Sequence, residues 1–359
     1  MSDDVPDPLD RVQWEAWSRK LLPPVQGLGG GLWSIPVPLP LEALRYVLVY
    51  ALELDDGVAL VDAGWDTEEA WRALTGGLAA AGFGIGDVRA VLVTHIHPDH
   101  YGLAHRIREE SGAWVGLHPA DAALLAVRYD DVDSLIEDNR VLLERIGTPE
   151  EQARELASAS MAMRRFVSVA KPDRLIEDGQ RLGLPGWNLR AVWTPGHSPG
   201  HLCFADEDRR MLFSGDHVLP RITPNISMHP QQRSNPLQDF IDSLRKVGAL
   251  DVHEVLPAHE YRFAGLSGRV AHLLAHHEER LDEIEKALRE RPGAGCWEIS
   301  SRLTWSRPWS SFDTHSKRAA TGETLAHMVL LEQRGRLVRS GGRPERWWPP
   351  ALLETDEGT

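Results

Sequence analysis

Thr94-His95-Ile96-His97-Pro98-Asp99-His100 follows directly on an apolar run, Val88-Arg89-Ala90-Val91-Leu92-Val93. The run predicts a buried strand, and the loop at the carboxyl end of such a strand is where α/β sheets usually place their chemistry. This loop holds three imidazoles and one carboxylate within six residues. His and Asp side chains together suit zinc, and they also suit iron or manganese. The sequence therefore predicts a metal site at one edge of a sheet.

The same pattern, a short apolar strand followed by a His or an Asp, recurs elsewhere in the chain. Because the carboxyl ends of neighbouring strands meet at one edge of a sheet, we expect these side chains to converge on the first loop. These residues are His197, Asp216 and His259.

Composition limits the classes of protein to consider. A chain of 359 residues can hold one large domain with an appendage, or two domains. A net charge of -14 argues against unaided binding of nucleic acid along the whole surface. Two cysteines, Cys203 and Cys296, provide no disulfide framework and no zinc ribbon, which is typical of a reducing compartment. The acidic N-terminus lacks a signal-peptide core, and no run approaches the roughly 18 apolar residues of a membrane span. We therefore expect a cytoplasmic protein with no membrane partner.

Changes of pattern along the chain predict an N-terminal extension at 1–30, an α/β domain at 31–265 and a C-terminal domain at 266–349, with a tail at 350–359. Within the α/β domain, residues 117–172 have helical spacing and form an insertion of two or three helices. These helices either pack in the core or form a lid that shapes a substrate pocket. The C-terminal domain shows three helices and then a two-stranded ribbon, which is a winged-helix pattern.

Five motifs in the α/β domain resemble those of the metallo-β-lactamase superfamily of hydrolases, and among them the glyoxalase II-like branch. The C-terminal domain looks like the winged-helix appendage of the β-lactamase-like protein 2 branch. The resemblance implies an α/β fold of four αββα layers with the metals at one edge of the sandwich, carrying the helical insertion and the winged-helix-like domain. The motifs are Val61-Asp62-Ala63-Gly64, Thr94-His95-Ile96-His97-Pro98-Asp99-His100, Thr194-Pro195-Gly196-His197-Ser198-Pro199-Gly200-His201, Ser214-Gly215-Asp216-His217 and Leu256-Pro257-Ala258-His259-Glu260.

The resemblance also implies a role for each candidate residue. Two divalent transition-metal ions, zinc first with iron or manganese as alternatives, would share a bridging hydroxide that is a nucleophile near neutral pH. Asp99 gains a catalytic role, because it can orient this hydroxide and pass a proton to the leaving group. We read Asp62 as a support for a ligand imidazole or for the loop, and His201 and His217 as neighbours that support the loops. The implied ligands are His95, His97 and His197 for the first metal, Asp99, His100 and His259 for the second, and Asp216 as the bridge.

The metal loops indicate hydrolysis far better than they indicate a substrate. The interval from His100 to His197 is longer than in compact glyoxalase II, which favours a thioester or ester with a larger or more apolar acyl part. Residues 291–346 contain ten Lys or Arg against five Asp or Glu, so a single-stranded RNA endoribonuclease is the second interpretation. Lactone or β-lactam hydrolysis is the third. We expect a small-molecule thioester or ester as partner, rank nucleic acid below it, and leave a homodimer open.

Overall fold

The computed structural model describes residues 6–40, 44–129, 131–159, 167–231 and 235–353. Within these ranges the chain forms two compact units. The first is drawn from Met1–Tyr129, Met163–Pro224 and Ser243–His272, and it contains both large sheets. The second is drawn from Asp130–Ala162, Asn225–Asp242 and Leu273–Thr359.

The larger sheet of the first unit has seven strands in the order of the chain. Its first four strands are antiparallel, and the fourth to seventh run parallel. The third and fourth strands form a tight hairpin around Asp55 and Asp56. The strands are β1 (Gln26–Gly29), β2 (Leu32–Pro38), β3 (Tyr46–Leu54), β4 (Gly57–Val61), β5 (Val88–Leu92), β6 (Trp114–Leu117) and β7 (Arg174–Leu175).

The smaller sheet has four strands, and neighbours in the chain are also neighbours in the sheet. Apolar side chains from the facing sides of the two sheets form an inner core, in which the rings of Tyr50 and Phe213 pack edge to face with centroids 5.4 Å apart. The strands are β8 (Leu189–Trp193), β9 (Leu202–Asp206), β10 (Met211–Gly215) and β11 (Glu254–Pro257).

Helices cover the outer face of the larger sheet. The hydroxyl of Thr67 caps the helix at Glu68–Ala80 by accepting the N–H of Ala70, and Leu74 and Leu78 of this helix are buried in the same core cluster as Ile35 of β2. The helices of the first unit include α1 (Arg11–Ser18), α2 (Glu68–Ala80), α3 (Pro98–Tyr101), α4 (Ala104–Ser111), α5 (Pro119–Ala122) and α6 (Leu125–Tyr129). Helices and packed sheets in these layers confirm the predicted α/β fold class.

The second unit is mainly helical. Helices of the predicted insertion bond to the C-terminal region, since the carbonyl of Ile146 accepts the N–H of Trp297 and that of Arg145 accepts the N–H of Glu345. Three helices and then an antiparallel ribbon occur in the predicted order, whereas the winged-helix identity and the domain boundaries stay predictions. The other elements of this unit are α7 (Val132–Arg145), α8 (Glu150–Ala157), α11 (Cys296–Ser300), α12 (Thr314–Gln333), β12 (Val338–Ser340), β13 (Arg346–Trp348) and α13 (Pro350–Leu353), while α9 (Pro236–Gly248) and α10 (Leu266–Glu290) each include residues of both units.

Among the helices in the described ranges, none is both long and apolar enough to cross a bilayer.

Candidate metal centre

The predicted site residues lie together at the carboxyl ends of four strands. The loop after β5 supplies four of them, and the loops after β8, β10 and β11 supply one each. Pro98 begins the short helix α3, so Asp99 and His100 lie in its first turn. The structure groups these side chains into three overlapping sets, which are His95, His97 and His197; His95, His100 and Asp216; and Asp99, His100 and His259.

Four atoms of the set around His100 face one another across a small gap. His259 Nε2 lies 3.3 Å from Asp99 Oδ2 and 3.3 Å from Asp216 Oδ1, and His100 Nε2 lies 3.5 Å from each of the same two oxygens. Ligands about 2.0–2.1 Å from a tetrahedral zinc ion are separated by roughly 3.3–3.4 Å. The spacing therefore matches that of atoms sharing one metal ion.

The set of His95, His97 and His197 faces the other carboxylate oxygen of Asp216. His197 Nε2 is 3.4 Å from Asp216 Oδ2, and His95 Nε2 is 4.0 Å from the same oxygen. His95 Nε2 and His97 Nδ1 are 2.9 Å apart. Asp216 thus directs one carboxylate oxygen toward each set, which is the geometry that a bridging ligand requires.

Several of these polar atoms have no hydrogen-bond partner among the described residues. His100 Nε2, His259 Nε2 and Asp216 Oδ1 are fully buried without one. Buried polar atoms are nearly always hydrogen-bonded, so three neighbouring atoms without a hydrogen-bond partner need a physical explanation. A bound cation would satisfy all three atoms, and the donor set of imidazoles and carboxylates fits a divalent transition metal.

The other nitrogen of each buried ring is held in place. His259 Nδ1 lies 2.8 Å from the carbonyl oxygen of Tyr46, and His100 Nδ1 lies 2.7 Å from Asp62 Oδ2. Both oxygens are acceptors, so each Nδ1 carries the proton and each Nε2 lone pair is left for a metal. Asp62 also accepts the N–H of Thr94 at 2.8 Å. This is the supporting role that the sequence predicts for Asp62.

The electrostatics of the centre differ from ring to ring. Burial lowers the pKa of His95 well below its ordinary value, and the neighbouring imidazoles add to the effect. Burial opposes charge on His100 as well, but the carboxylates of Asp99 and Asp62 outweigh it and raise the pKa of His100 well above 6.5. Burial would raise the pKa of Asp216, yet the imidazoles of His259 and His100 lower it well below its ordinary value. Without a metal, the carboxylates favour a protonated imidazole at His100, and a bound cation would replace that proton.

Reasoning from sequence missed Asp121 entirely. Its buried carboxylate accepts hydrogen bonds from Ile96, Ser198 and Gly200, which lie in two different ligand loops. No local signal marks this residue, because its partners are distant in sequence. His201 is a loop support, as expected: its Nε2 accepts the N–H of Asp216 at 3.2 Å, and its Nδ1 lies 2.8 Å from Thr194 Oγ1.

Comparison with known proteins identifies the family of the chain. The sequence profile described as the metallo-beta-lactamase superfamily matches residues 43–259. The probable metallo-hydrolase YqjP of Bacillus subtilis (strain 168) is 29% identical over 266 residues, which cover 72% of this chain and 81% of YqjP. The crystal structure of a metallo-beta-lactamase family protein from Thermus thermophilus aligns with a TM-score of 0.78 and 32% identity, covering 90% of this chain and 100% of that chain.

A shorter match involves the atrochrysone carboxyl ACP thioesterase AgnL7 of Paecilomyces divaricatus. It is 36% identical over 115 residues, which cover 32% of this chain and 34% of that enzyme. The glyoxalase II-like branch and the winged-helix appendage stay predictions. The profile covers more than half of the chain, and the chain belongs to the metallo-beta-lactamase superfamily.

Proposed function

We propose that this metallo-hydrolase is binuclear and cleaves thioesters or esters. The observation that carries the binuclear part is the pair of ligand sets on either side of Asp216, with buried atoms that lack hydrogen-bond partners in the described part of the chain. Asp216 Oδ2 would join the first set, and Asp216 Oδ1 the second. The proposed ligands are His95, His97 and His197 on the first side and Asp99, His100 and His259 on the second.

Bound divalent ions, with zinc proposed first and iron or manganese as alternatives, would polarise a carbonyl group and lower the pKa of water toward neutrality. Side chains of the protein would orient the attacking water and protonate the leaving group. Asp99 faces His259 and His100 with Oδ2, at 3.3 and 3.5 Å, and its other oxygen is Oδ1. That oxygen is suited to orient the attacking water and to deliver a proton to the leaving thiolate or alkoxide.

A cysteine nucleophile does not fit this structure. Cys203 and Cys296 are both buried, and burial raises the pKa of each thiol to about 12. The thiolate is the reactive form of cysteine, so neither side chain is available to form an acyl-enzyme near neutral pH. Direct attack by water is therefore the proposed route.

Two observations support a thioester or ester as substrate. One of the relatives, similar to this chain over 115 residues, is an ACP thioesterase. The interval between His100 and His197 is longer than in a compact glyoxalase II, which favours a larger or more apolar acyl group. We propose an acyl-CoA-like or carrier-linked thioester.

Cleavage of single-stranded RNA is the second candidate, because residues 291–346 are locally basic. Several arginines of this segment are paired with carboxylates, however. Arg334 is 2.9 Å from Glu278, Arg336 is 2.7 Å from Asp282, and Arg339 is 3.2 Å from Glu332. A surface that follows a phosphate backbone needs cations that are free to release its counterions. We therefore rank RNA below a thioester, and lactones and β-lactams third.

A hydrolysis panel tests the proposal. Metal-loaded protein would be assayed on S-lactoylglutathione, acyl-CoA thioesters of increasing length, the matching oxyesters, nitrocefin, homoserine lactones and single-stranded RNA, with Asp216→Asn as the matched control. We expect thiol release that increases with acyl length and is absent from the variant. Cleavage of RNA, nitrocefin or lactones by a protein that leaves every thioester and oxyester intact would refute the substrate assignment.

A further inference from the structure

Asp121 ties together two of the loops that carry candidate ligands. Its Oδ2 accepts the N–H of Ile96 at 2.9 Å and the hydroxyl of Ser198 at 2.8 Å. Its Oδ1 accepts the N–H of Gly200 at 2.7 Å. The side chain is fully buried, so solvent does not compete for these three bonds.

The partners of Asp121 flank the ligands rather than being ligands themselves. Ile96 lies between His95 and His97, and Ser198 directly follows His197. The Ile96 peptide is held on its other side as well, because its carbonyl accepts the hydroxyl of Tyr129 at 3.0 Å. Both polar groups of this residue's backbone are therefore fixed by residues of the segment 121–129.

Packing around the carboxylate leaves little freedom. A Cβ atom at Gly200 would lie 2.5 Å from the backbone nitrogen of Asp121 and 2.7 Å from its Cβ and Cγ. Only glycine allows this approach, so the loop after β8 is built to bring its N–H against the carboxylate.

Asp62 supports a different pair of ligands, His100 and His95. It bonds His100 directly and the Thr94 hydroxyl at 3.0 Å, and that hydroxyl lies 3.0 Å from His95 Nδ1. His97 and His197 are supported from the other direction, through the loops that Asp121 joins. Each buried carboxylate therefore serves a different part of the centre.

We propose that Asp121 is a positioning residue that sets the distance between His97 and His197, and so the affinity of the first metal site. The inference rests on the proposed binuclear centre and extends it. Residues that orient metal ligands from outside the coordination sphere typically change metal affinity about 10- to 100-fold when replaced.

Two substitutions remove different hydrogen bonds of Asp121. Asp121→Asn puts an NH2 group where at least one backbone N–H now donates, because both carboxylate oxygens accept backbone N–H groups. Ser198→Ala deletes one bond and leaves the carboxylate with two donors. Asp206→Asn is the matched control, since Asp206 is a buried carboxylate at the far end of β9 that accepts the N–H of Arg209 at 3.0 Å.

The test is a stepwise Zn²⁺ titration of the full-length proteins against a chromophoric chelator, with Co²⁺ spectra as a second readout. Wild type and Asp206→Asn should bind two ions with unchanged stepwise affinities. Asp121→Asn should weaken one step about 10- to 100-fold and leave the other within a few-fold, and Ser198→Ala should weaken the same step by less. Unchanged affinities in Asp121→Asn, or an equal loss at both steps, would overturn the positioning role. Failure of wild type to bind two ions would instead overturn the binuclear proposal on which it rests.

Discussion

Two adjacent glycines in α2 should respond in opposite directions to the same substitution. Gly76 is exposed, and a Cβ atom there would have no neighbour within 4 Å. Gly77 faces β2, and a Cβ atom there would lie well under 3 Å from Ile35 Cγ2 and 3.2 Å from Ile35 Cγ1. Ile35 is 0% exposed and cannot move aside without disturbing the core.

The magnitudes follow from two terms. Replacing glycine by alanine inside a helix raises the free energy of unfolding by about 0.5–1 kcal/mol, and this term applies to both positions. Overpacking a well-filled core costs about 1–3 kcal/mol, and this term applies only to Gly77. Gly76→Ala should therefore be more stable than wild type, and Gly77→Ala should be less stable than Gly76→Ala by about 1–3 kcal/mol.

Urea unfolding followed by far-ultraviolet circular dichroism measures both variants against wild type. Because the helix-propensity term cancels between neighbouring sites, the difference between the two variants isolates the contact with Ile35. Equal stabilities for Gly76→Ala and Gly77→Ala would show that α2 does not lie against β2 at the distance described.

Three further outcomes concern the centre and the second unit. Asp216→Asn should keep the fold by circular dichroism while bound metal falls from about two ions per chain to one or none, which elemental analysis would measure. Chelation of the wild type should lower Tm by several degrees, because a ligand that binds only the folded state stabilises it, and an unchanged Tm would count against a metal site in the folded protein. Glu323→Gln should stabilise the protein at pH 8 by about 1–3 kcal/mol, an effect that fades toward pH 4.5 and that a pH series of urea unfolding would follow. Burial raises the pKa of Glu323 to about 7 from 4.5, so the folded state holds the proton more tightly and loses stability as pH rises between these values. Part of this side chain stays exposed, which limits the effect, and Gln can still accept the bond from Asn225.

The convergence of the site residues could be predicted because each of their loops follows a strand that an apolar run in the sequence predicts. Apolar residues before His95, His197, Asp216 and His259 mark four strand ends, and the strands of an α/β fold bring such ends to one edge. The orienting role of Asp62 was also accessible, since it too ends a strand. The sequence therefore identified which side chains lie together at the candidate metal centre.

Contacts between distant segments could not be predicted in the same way. Asp121 lies 25 residues after Ile96 and 79 before Gly200, and no periodicity links a helix-starting aspartate to either loop. The association of the insertion with the C-terminal region rests on bonds such as that from Trp297 to Ile146, between backbone groups that carry no residue-specific signal. Side-chain pattern predicts elements and strand ends, whereas backbone pairing across long intervals appears only in the folded chain.

The charge balance of the centre bears on the choice of substrate. The five imidazoles are neutral when they bind a metal and the two carboxylates contribute two negative charges, so two divalent ions would leave about two positive charges on the centre, and a bridging hydroxide would lower this to about one. The surroundings are buried, with His95 and His100 both 0% exposed, and water screens this charge only weakly. The rest of the chain is acidic, with a net charge of -14. Positive potential is then concentrated at one point, which suits a single polarised carbonyl better than a polyanion that needs a row of cations. This is the physical ground for placing a thioester or ester ahead of RNA.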